Sequence, residues 1–355
     1  MATHVIDGAN GFVGSHLIGA LLARGDEVVG LARASAEVVR RRVADALLCL
    51  GLDEALADRL RVRRFALDEP GAGLSGADAA EVFAEPCTYW HNAALVTFFP
   101  RREEDLLAVN VAGSANTLEA YERYARPGSR YVSVGTAYQC GLDTREVPEE
   151  WPEHAPPERF RNFYEYSKRE AEIALARSRT ARAGEALVVR LGVMVGHSRT
   201  GRALTDYGLY DFLRVMAFFA RRSPGGRVRL PCHPDANVHL TPVDTTVARL
   251  LALADGDFAR PVRHVVNGTS VRVRDLFAAV NARLPIELVP AAPEEIEADP
   301  FDRFEAVVNM RARYTATYFR HHYDFAWSQD AAPPAVTAET VDRLVSWYVR
   351  EGLPE

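Results

Sequence analysis

The chain opens on "THVIDGANGFVGSHLIGALLARG" (3–25), a β-branched run, a glycine-rich turn and then an apolar pattern of helical period. Gly8, Gly11 and Gly14 give the spacing GxxGxxG. Such a turn lets backbone approach a pyrophosphate, whose charge then rests on the N-terminus of the following helix. A glycine triplet alone is weak evidence. Here it follows a strand and opens a helix at the start of the chain, which points to a dinucleotide-binding βα unit.

The second strand, "EVVGLARAS" (27–35), ends in Arg33. An acidic residue here would hold the ribose 2′-hydroxyl of NAD, whereas an arginine suits the 2′-phosphate of NADP. Arg40, Arg41 and Arg42 follow on the next helix. They either close on the same phosphate or form a solvated helix face. With no carboxylate present, NADP(H) is the expected cofactor.

Lysine plus arginine total 42, and Lys168 is the only lysine. It sits in "NFYEYSKREAE" (162–172), whose apolar and alanine pattern continues to Gly184 and predicts a helix of about six turns. Tyr164 and Lys168 are four apart and share one helix face. An ammonium beside a phenol favours phenolate, which would lower the tyrosine pKa toward neutrality. A compact ammonium can also donate to both hydroxyls of a ribose, and a wide guanidinium does neither in the same space. An indifferent surface lysine would have drifted to arginine like the others.

Between these segments, "TYWHNAALV" (88–96) reads as a strand ending in small residues. A helix is predicted from about Glu103 to Tyr124, carrying Asn110, and "RYVSVGTAY" (130–138) as a buried strand running into Thr136 and Tyr138. The length gives a prior of two domains. A net charge of −6 offers no bulk attraction for nucleic acid or membrane. Four separated cysteines fit a reducing, cytoplasmic setting, no signal peptide is expected before the first strand, and the longest apolar windows are too short to span a bilayer.

Taken in order, these pieces resemble the extended short-chain dehydrogenases/reductases, and within them the thioester reductases and fatty acyl-CoA reductases of the male-sterility type. "GANGFVG", "GLARAS" with Arg42, "HNAALVTFFP", "VGTAY", "NFYEYSKREAE", "RLGVMVGHSRTG" and "HLTPVDTTVARLLAL" carry the resemblance over roughly residues 3–280. It implies an α/β fold: a Rossmann-type doubly wound parallel sheet with a smaller, discontinuous C-terminal α/β substrate domain. The NADP-binding domain would be 1–196 and 237–267, and the substrate domain 197–236 and 268–355.

The resemblance also implies roles. Tyr164 would protonate the carbonyl oxygen, Lys168 would hold the nicotinamide ribose, Thr136 would hydrogen-bond the same oxygen, and Asn110 would support the active-site helix. Strand register could instead bring Ser133 to the site in place of Thr136. Gly8, Asn10, Gly11, Phe12, Val13, Gly14, Arg33, Arg42, Asn92, Ala93, Ala94, Lys168, Leu191 and Val193 would line the cofactor. The chain departs from the family pattern at Asp7, which puts a carboxylate near a phosphate site, at Ala66, and at Leu191 where a proline is usual.

The C-terminal part says least. Arg221, Arg222, Arg227 and Arg229 surround a Pro-Gly-Gly turn, a solvated loop or a docking surface for an acidic carrier or phosphate group. His321 and His322 are adjacent, a poor arrangement for a metal, and none is assigned. The expected activity is NADPH-dependent reduction of an acyl thioester, delivered in trans on a carrier protein or coenzyme A, to aldehyde or alcohol. A ketone reductase or a nucleotide-sugar epimerase or dehydratase is the alternative, and a silent NADP-binding sensor the third. No nucleic-acid partner is expected, and a homodimer is left open.

Overall fold

The computed structural model describes residues 2–143, 146–268, 271–327 and 335–353, which fall into two compact units. The first comprises 1–143, 148–191 and 246–265; the second comprises 144–147, 192–245 and 266–355.

The first unit is built on a seven-stranded sheet. Its strands are β1 (Thr3–Asp7), β2 (Glu27–Ala32), β3 (Arg61–Arg64), β4 (Thr88–His91), β5 (Arg130–Thr136), Ala186–Leu191 and Val262–Val265. They lie in the order Val262–Val265, Ala186–Leu191, β5, β4, β1, β2, β3, and every pairing is parallel. The chain winds outward from β1 through β2 to β3, then returns to place β4 on the other side of β1. This reversal opens a crevice at the carboxyl ends of β1 and β4, where doubly wound sheets bind their ligands. Strand interiors are near-continuous apolar runs because both sheet faces are covered. Tyr89 and Tyr131 stack at 5.4 Å between β4 and β5 in that core.

The second unit has its own core. Helices Leu209–Arg222, Val273–Asn281, Arg303–Ala316 and Ala338–Trp347 enclose Phe212, Phe277 and Phe319, with Phe212 edge-on to Phe319 at 5.1 Å. The strands Gly226–Pro231 and Ile286–Ala291 pair in parallel.

Several expected boundaries move. Residues 192–196 and 237–245 fall in the second unit, because Val193–Val195 pairs with Leu240–Pro242. The strand expected over 88–96 stops at His91, and the helix expected to reach Gly184 spans Phe163–Ala176. It breaks where the Ser178 hydroxyl accepts from the Ala181 amide and caps a separate short helix, Arg179–Arg182. Serine competes with backbone in this way, which makes it a helix starter rather than a helix interior.

Beneath the sheet edge the first unit buries an ion pair. Arg190, on Ala186–Leu191, meets Glu172 at 2.7 Å and also donates to the carbonyls of Pro148 (3.1 Å) and Glu150 (2.6 Å). Gln139 donates to the same carboxylate. Arg190→Ala strands that carboxylate in the interior and should cost about 3–5 kcal/mol in urea denaturation, while the double change Glu172→Leu/Arg190→Met should recover most of it. A single variant within about 1 kcal/mol of the parent would contradict this placement.

Candidate active site

The glycine turn is a cradle that side chains would fill. Gly8 has φ +62°, and a Cβ there would lie 2.9 Å from the backbone of Ala93. A Cβ on Gly14 would come within 2.4 Å of the Gly8 carbonyl oxygen. Helix α1 (Phe12–Arg24) starts at Gly11 with no side-chain cap and no acid in its first turn. Its first amides are therefore left for an anion, which is the environment a dinucleotide pyrophosphate needs. Asn10 is exposed and Gly11, Phe12 and Val13 are partly exposed at the rim.

Asp7 ends β1, and its carboxylate does not face that turn as an unpaired charge. Oδ1 accepts from the amides of Asn92 and Ala93, both at 2.6 Å. Oδ2 accepts from the Tyr89 hydroxyl at 3.0 Å and contacts His91 Nδ1 at 2.7 Å. Four contacts saturate a carboxylate. They also explain why β4 ends at His91: the next two amides belong to Asp7 rather than to a neighbouring strand. Asn92 then reaches Gly8 through its side chain, 3.4 Å to the carbonyl oxygen, and Ala93 and Ala94 continue along the crevice.

The network extends from there to the helix carrying Tyr164. His91 Nε2 is 2.8 Å from Ser114 Oγ, which donates to the Asn110 carbonyl at 2.5 Å. Asn110 lies in a π-helical turn, Leu107–Ala112, set between the α-helical segments Glu103–Leu106 and Gly113–Tyr124. Widened turns of this kind recur at functional sites because they re-aim a side chain. The Asn110 amide clamps Leu95, accepting from its N–H at 2.8 Å and donating to its carbonyl at 3.0 Å. It also donates to Ser167 Oγ at 2.9 Å. Ser167 precedes Lys168 and was not singled out from the sequence, although it stands inside the YxxSK stretch.

The helix Phe163–Ala176 is N-capped by Asn162, whose side chain accepts from the Glu165 amide at 3.0 Å. Lys168 is buried, and its Nζ donates to the Val134 carbonyl of β5 at 2.9 Å. Burial lowers its pKa to about 8, with Asp7 and Glu172 acting in the opposite direction. Tyr164 is partly exposed and its ring packs edge-on to Phe98 at 5.9 Å. Burial and the neighbouring Glu165 raise its pKa. The expected lowering by Lys168 is not what the geometry gives, because the ammonium is turned to a strand carbonyl. The phenol is thus a protonated group at neutral pH, suited to donating rather than abstracting a proton.

Thr136, at the end of β5, accepts from the Tyr138 amide at 3.3 Å and lies 3.5 Å from the Leu191 carbonyl oxygen. Ser133 occupies the opposite face of β5, in a cavity of about 270 Å³ lined also by His91, Lys168 and Glu172. Leu191 ends its strand in the first unit, whereas Val193 opens a short strand of the second. Arg33 is exposed, 4.0 Å from Asp68. Arg42 is partly exposed on α2 (Ala36–Leu50). Arg40 and Arg41 are committed elsewhere, Arg40 to the Leu60 carbonyl at 3.0 Å and Arg41 to Glu37 at 2.7 Å. The Glu37–Arg41 pair is an i,i+4 contact that charge spacing along α2 carries, whereas the Leu60 carbonyl, twenty residues from Arg40, could not be read from it.

A buried ammonium with a depressed pKa destabilises the fold, so its removal should stabilise it. Lys168→Met should raise the melting temperature below pH 8, where the folded protein must keep the charge buried. The gain should fade as pH rises from about 8 toward the ordinary lysine value of ~10.4, since the wild-type folded state then sheds its proton. Melting curves of both proteins from pH 6 to 10 test this; a variant less stable than wild type at pH 7 would contradict it.

A family model described as Male sterility protein matches residues 6–250. The dTDP-6-deoxy-L-talose 4-dehydrogenase (NAD(P)(+)) of Kitasatospora kifunensis is 30% identical over 300 residues, covering 80% of this chain and 81% of that protein. The terminal R domain from the myxalamid PKS-NRPS biosynthetic pathway is similar with a TM-score of 0.78 and 24% identity, over 100% of this chain and 93% of its own. A thiolation-reductase di-domain from an archaeal non-ribosomal peptide synthetase follows with a TM-score of 0.74 and 19% identity, over 98% and 75%. UDP-glucose 4-epimerase from Thermotoga maritima gives 0.65 and 17%, over 99% and 100%. At such identities these three structures speak to the fold alone. The matched family model and the 30% identical relative show that the chain belongs to the Male sterility protein family of NAD-binding proteins, within the extended short-chain dehydrogenase/reductase enzymes.

Proposed function

We propose that the chain is an NADPH-dependent reductase of an acyl thioester held on a carrier protein or coenzyme A. The observation that carries the reading is the sole lysine, buried on the helix of Tyr164 and tied through Ser167 and Asn110 to the loop beside an uncapped glycine turn. The likeness to R domains supports a tethered thioester as the substrate class.

A nicotinamide cofactor held by the glycine turn would supply the hydride. Arg33 and Arg42 would meet its 2′-phosphate, and Lys168 would donate to the ribose hydroxyls. Tyr164, protonated at neutral pH, gives its proton to the oxygen that gains charge, and Thr136 hydrogen-bonds the same oxygen. For a thioester the resulting hemithioacetal collapses to an aldehyde and a free thiol, so hydride and proton are both accounted for. A second round would yield the alcohol.

The 30% identical sugar dehydrogenase supports a second reading, oxidation or reduction at a nucleotide-sugar carbon by the same residues. Thiol release separates the two. Coenzyme A-linked or phosphopantetheine-linked acyl chains should oxidise NADPH and liberate thiol, while turnover of nucleotide sugars alone would move the assignment to the second reading.

Cofactor choice is tested separately. NADPH should bind at least ~10-fold tighter than NADH, since one charge-assisted contact contributes ~1.5–3 kcal/mol. Equal affinities in a fluorescence titration would remove Arg33 from this role.

Lys168→Arg keeps the charge but widens the group, displacing the ribose by a distance of about 1 Å that costs on the order of 100-fold in turnover. Tyr164→Phe should be at least as impaired. Near-native single-turnover NADPH oxidation by the Lys168→Arg protein would overturn the mechanism.

A further inference from the structure

The second unit carries a pocket of about 490 Å³ whose walls include His233, Asp235, Arg272, Arg320, His321 and His322. Its size is within the range of small-ligand sites, and its walls are held from behind. On one side, the Asp235 amide donates to His233 Nδ1 at 3.1 Å, and the Arg274 amide donates to the Pro234 carbonyl at 3.0 Å. This pins the turn to the antiparallel pair Asn237–Val238 and Val271–Arg272, the second of which supplies Arg272. On the other side, the Arg320–His322 segment runs into Tyr323, which buried Asn237 clamps. The Asn237 side chain donates to the Tyr323 carbonyl at 2.6 Å and accepts from its amide at 2.7 Å.

The electrostatics favour an anion. Asp235 Oδ1 is shared between Arg272, at 3.1 Å, and Arg274. Among the lining residues Arg272 and Arg320 outnumber Asp235, which Arg274 also meets from outside the walls, so the pocket carries a positive excess even with all three imidazoles neutral. Because His233 Nδ1 is already an acceptor, its Nε2 carries the hydrogen and is a donor. A cation is disfavoured by the arginines, and among the described residues no group of three or more His, Cys, Asp or Glu is arranged to hold a metal ion. A carboxylate would satisfy one guanidinium fork. A positive excess and donors on two walls match the non-bridging oxygens of a phosphoryl group, a monoanion in the diester of a pantetheine handle and a dianion in a monoester or free phosphate.

We propose that this pocket binds a phosphoryl group. It rests on the thioester reading only for the molecule that brings the group, which would be the pantetheine handle of the substrate. Coenzyme A, a phosphopantetheine arm and free phosphate share the chemistry, and the experiment separates them.

Coenzyme A, its dephospho form, phosphopantetheine and inorganic phosphate are titrated calorimetrically into the full chain, with the glycine turn saturated by NADP+. The same series is run on Arg320→Gln/His322→Gln, which changes two exposed side chains. The variant should melt like the parent and reduce a phosphate-free N-acetylcysteamine thioester at the parent rate. Its affinity for at least one phosphoryl probe should fall by about tenfold or more, as expected for lost charge-assisted contacts. A loss seen with phosphopantetheine and dephospho-coenzyme A identifies the handle phosphate; one confined to coenzyme A identifies its 3′-phosphate; one confined to inorganic phosphate identifies a free-phosphate site. Parent-like affinity of the variant for every probe, or no binding of any probe to the parent, overturns the proposal. If the pocket binds phosphate yet no thioester is reduced, the thioester reading falls and the pocket stands.

Discussion

The first unit is organised around one buried ammonium. Lys168 sits between its own helix and β5 with the Val134 carbonyl as its hydrogen-bond acceptor, and burial lowers its pKa to about 8 because one carbonyl does not replace the lost water. The nearest carboxylates help without capturing it. Glu172 is held by Arg190 and Gln139, and Asp7 by two amides, a tyrosine and a histidine. Had either collapsed onto Lys168, the ammonium would be neutralised and its hydrogens consumed. Instead they supply favourable potential at a distance, and the donor groups stay available for a hydroxyl-bearing ligand. An arginine would need a wider cavity and more acceptors than one strand carbonyl provides.

The same arrangement joins the two halves of the site. Asp7 ends the strand that leads into the glycine turn, and through His91 and Ser114 it reaches the backbone of Asn110. Asn110 in turn fixes Leu95 and Ser167, so the loop after β4 and the helix of Tyr164 and Lys168 are set by one side chain. A continuous hydrogen-bonded path of this kind holds reacting groups in register better than separate contacts would. The carboxylate that departs from the family pattern at position 7 is therefore a structural keystone.

Much of this was legible in the sequence. The glycine spacing, the apolar strand runs and the four-residue separation of Tyr164 and Lys168 are local patterns, and local patterns survive folding. Boundaries were less legible because distant partners set them. β4 ends where Asp7, more than eighty residues away, takes two amides. The second unit claims residues 192–196 because Val193–Val195 finds a parallel partner at Leu240–Pro242. The same holds for charge: Arg40, read as a phosphate ligand or part of a solvated helix face, is held by the Leu60 carbonyl, and Arg229, read as part of a solvated loop or a docking surface, is held by Glu305 at 2.6 Å and Asp299 at 2.9 Å. The histidine pair at 321–322 read in sequence only as a poor arrangement for a metal, because its companions, His233 and Arg272, come from elements distant in the chain.

A chain with one lysine permits an unusually direct measurement. Labelling lysine with ¹⁵N at Nζ in an untagged sample gives one side-chain signal, which is Lys168. Its titration should show a midpoint near the value of about 8 that burial imposes, and the signal should shift on addition of NADP+ as the Val134 contact is exchanged for ribose. A midpoint at the ordinary lysine value of ~10.4, with no response to the cofactor, would contradict the account.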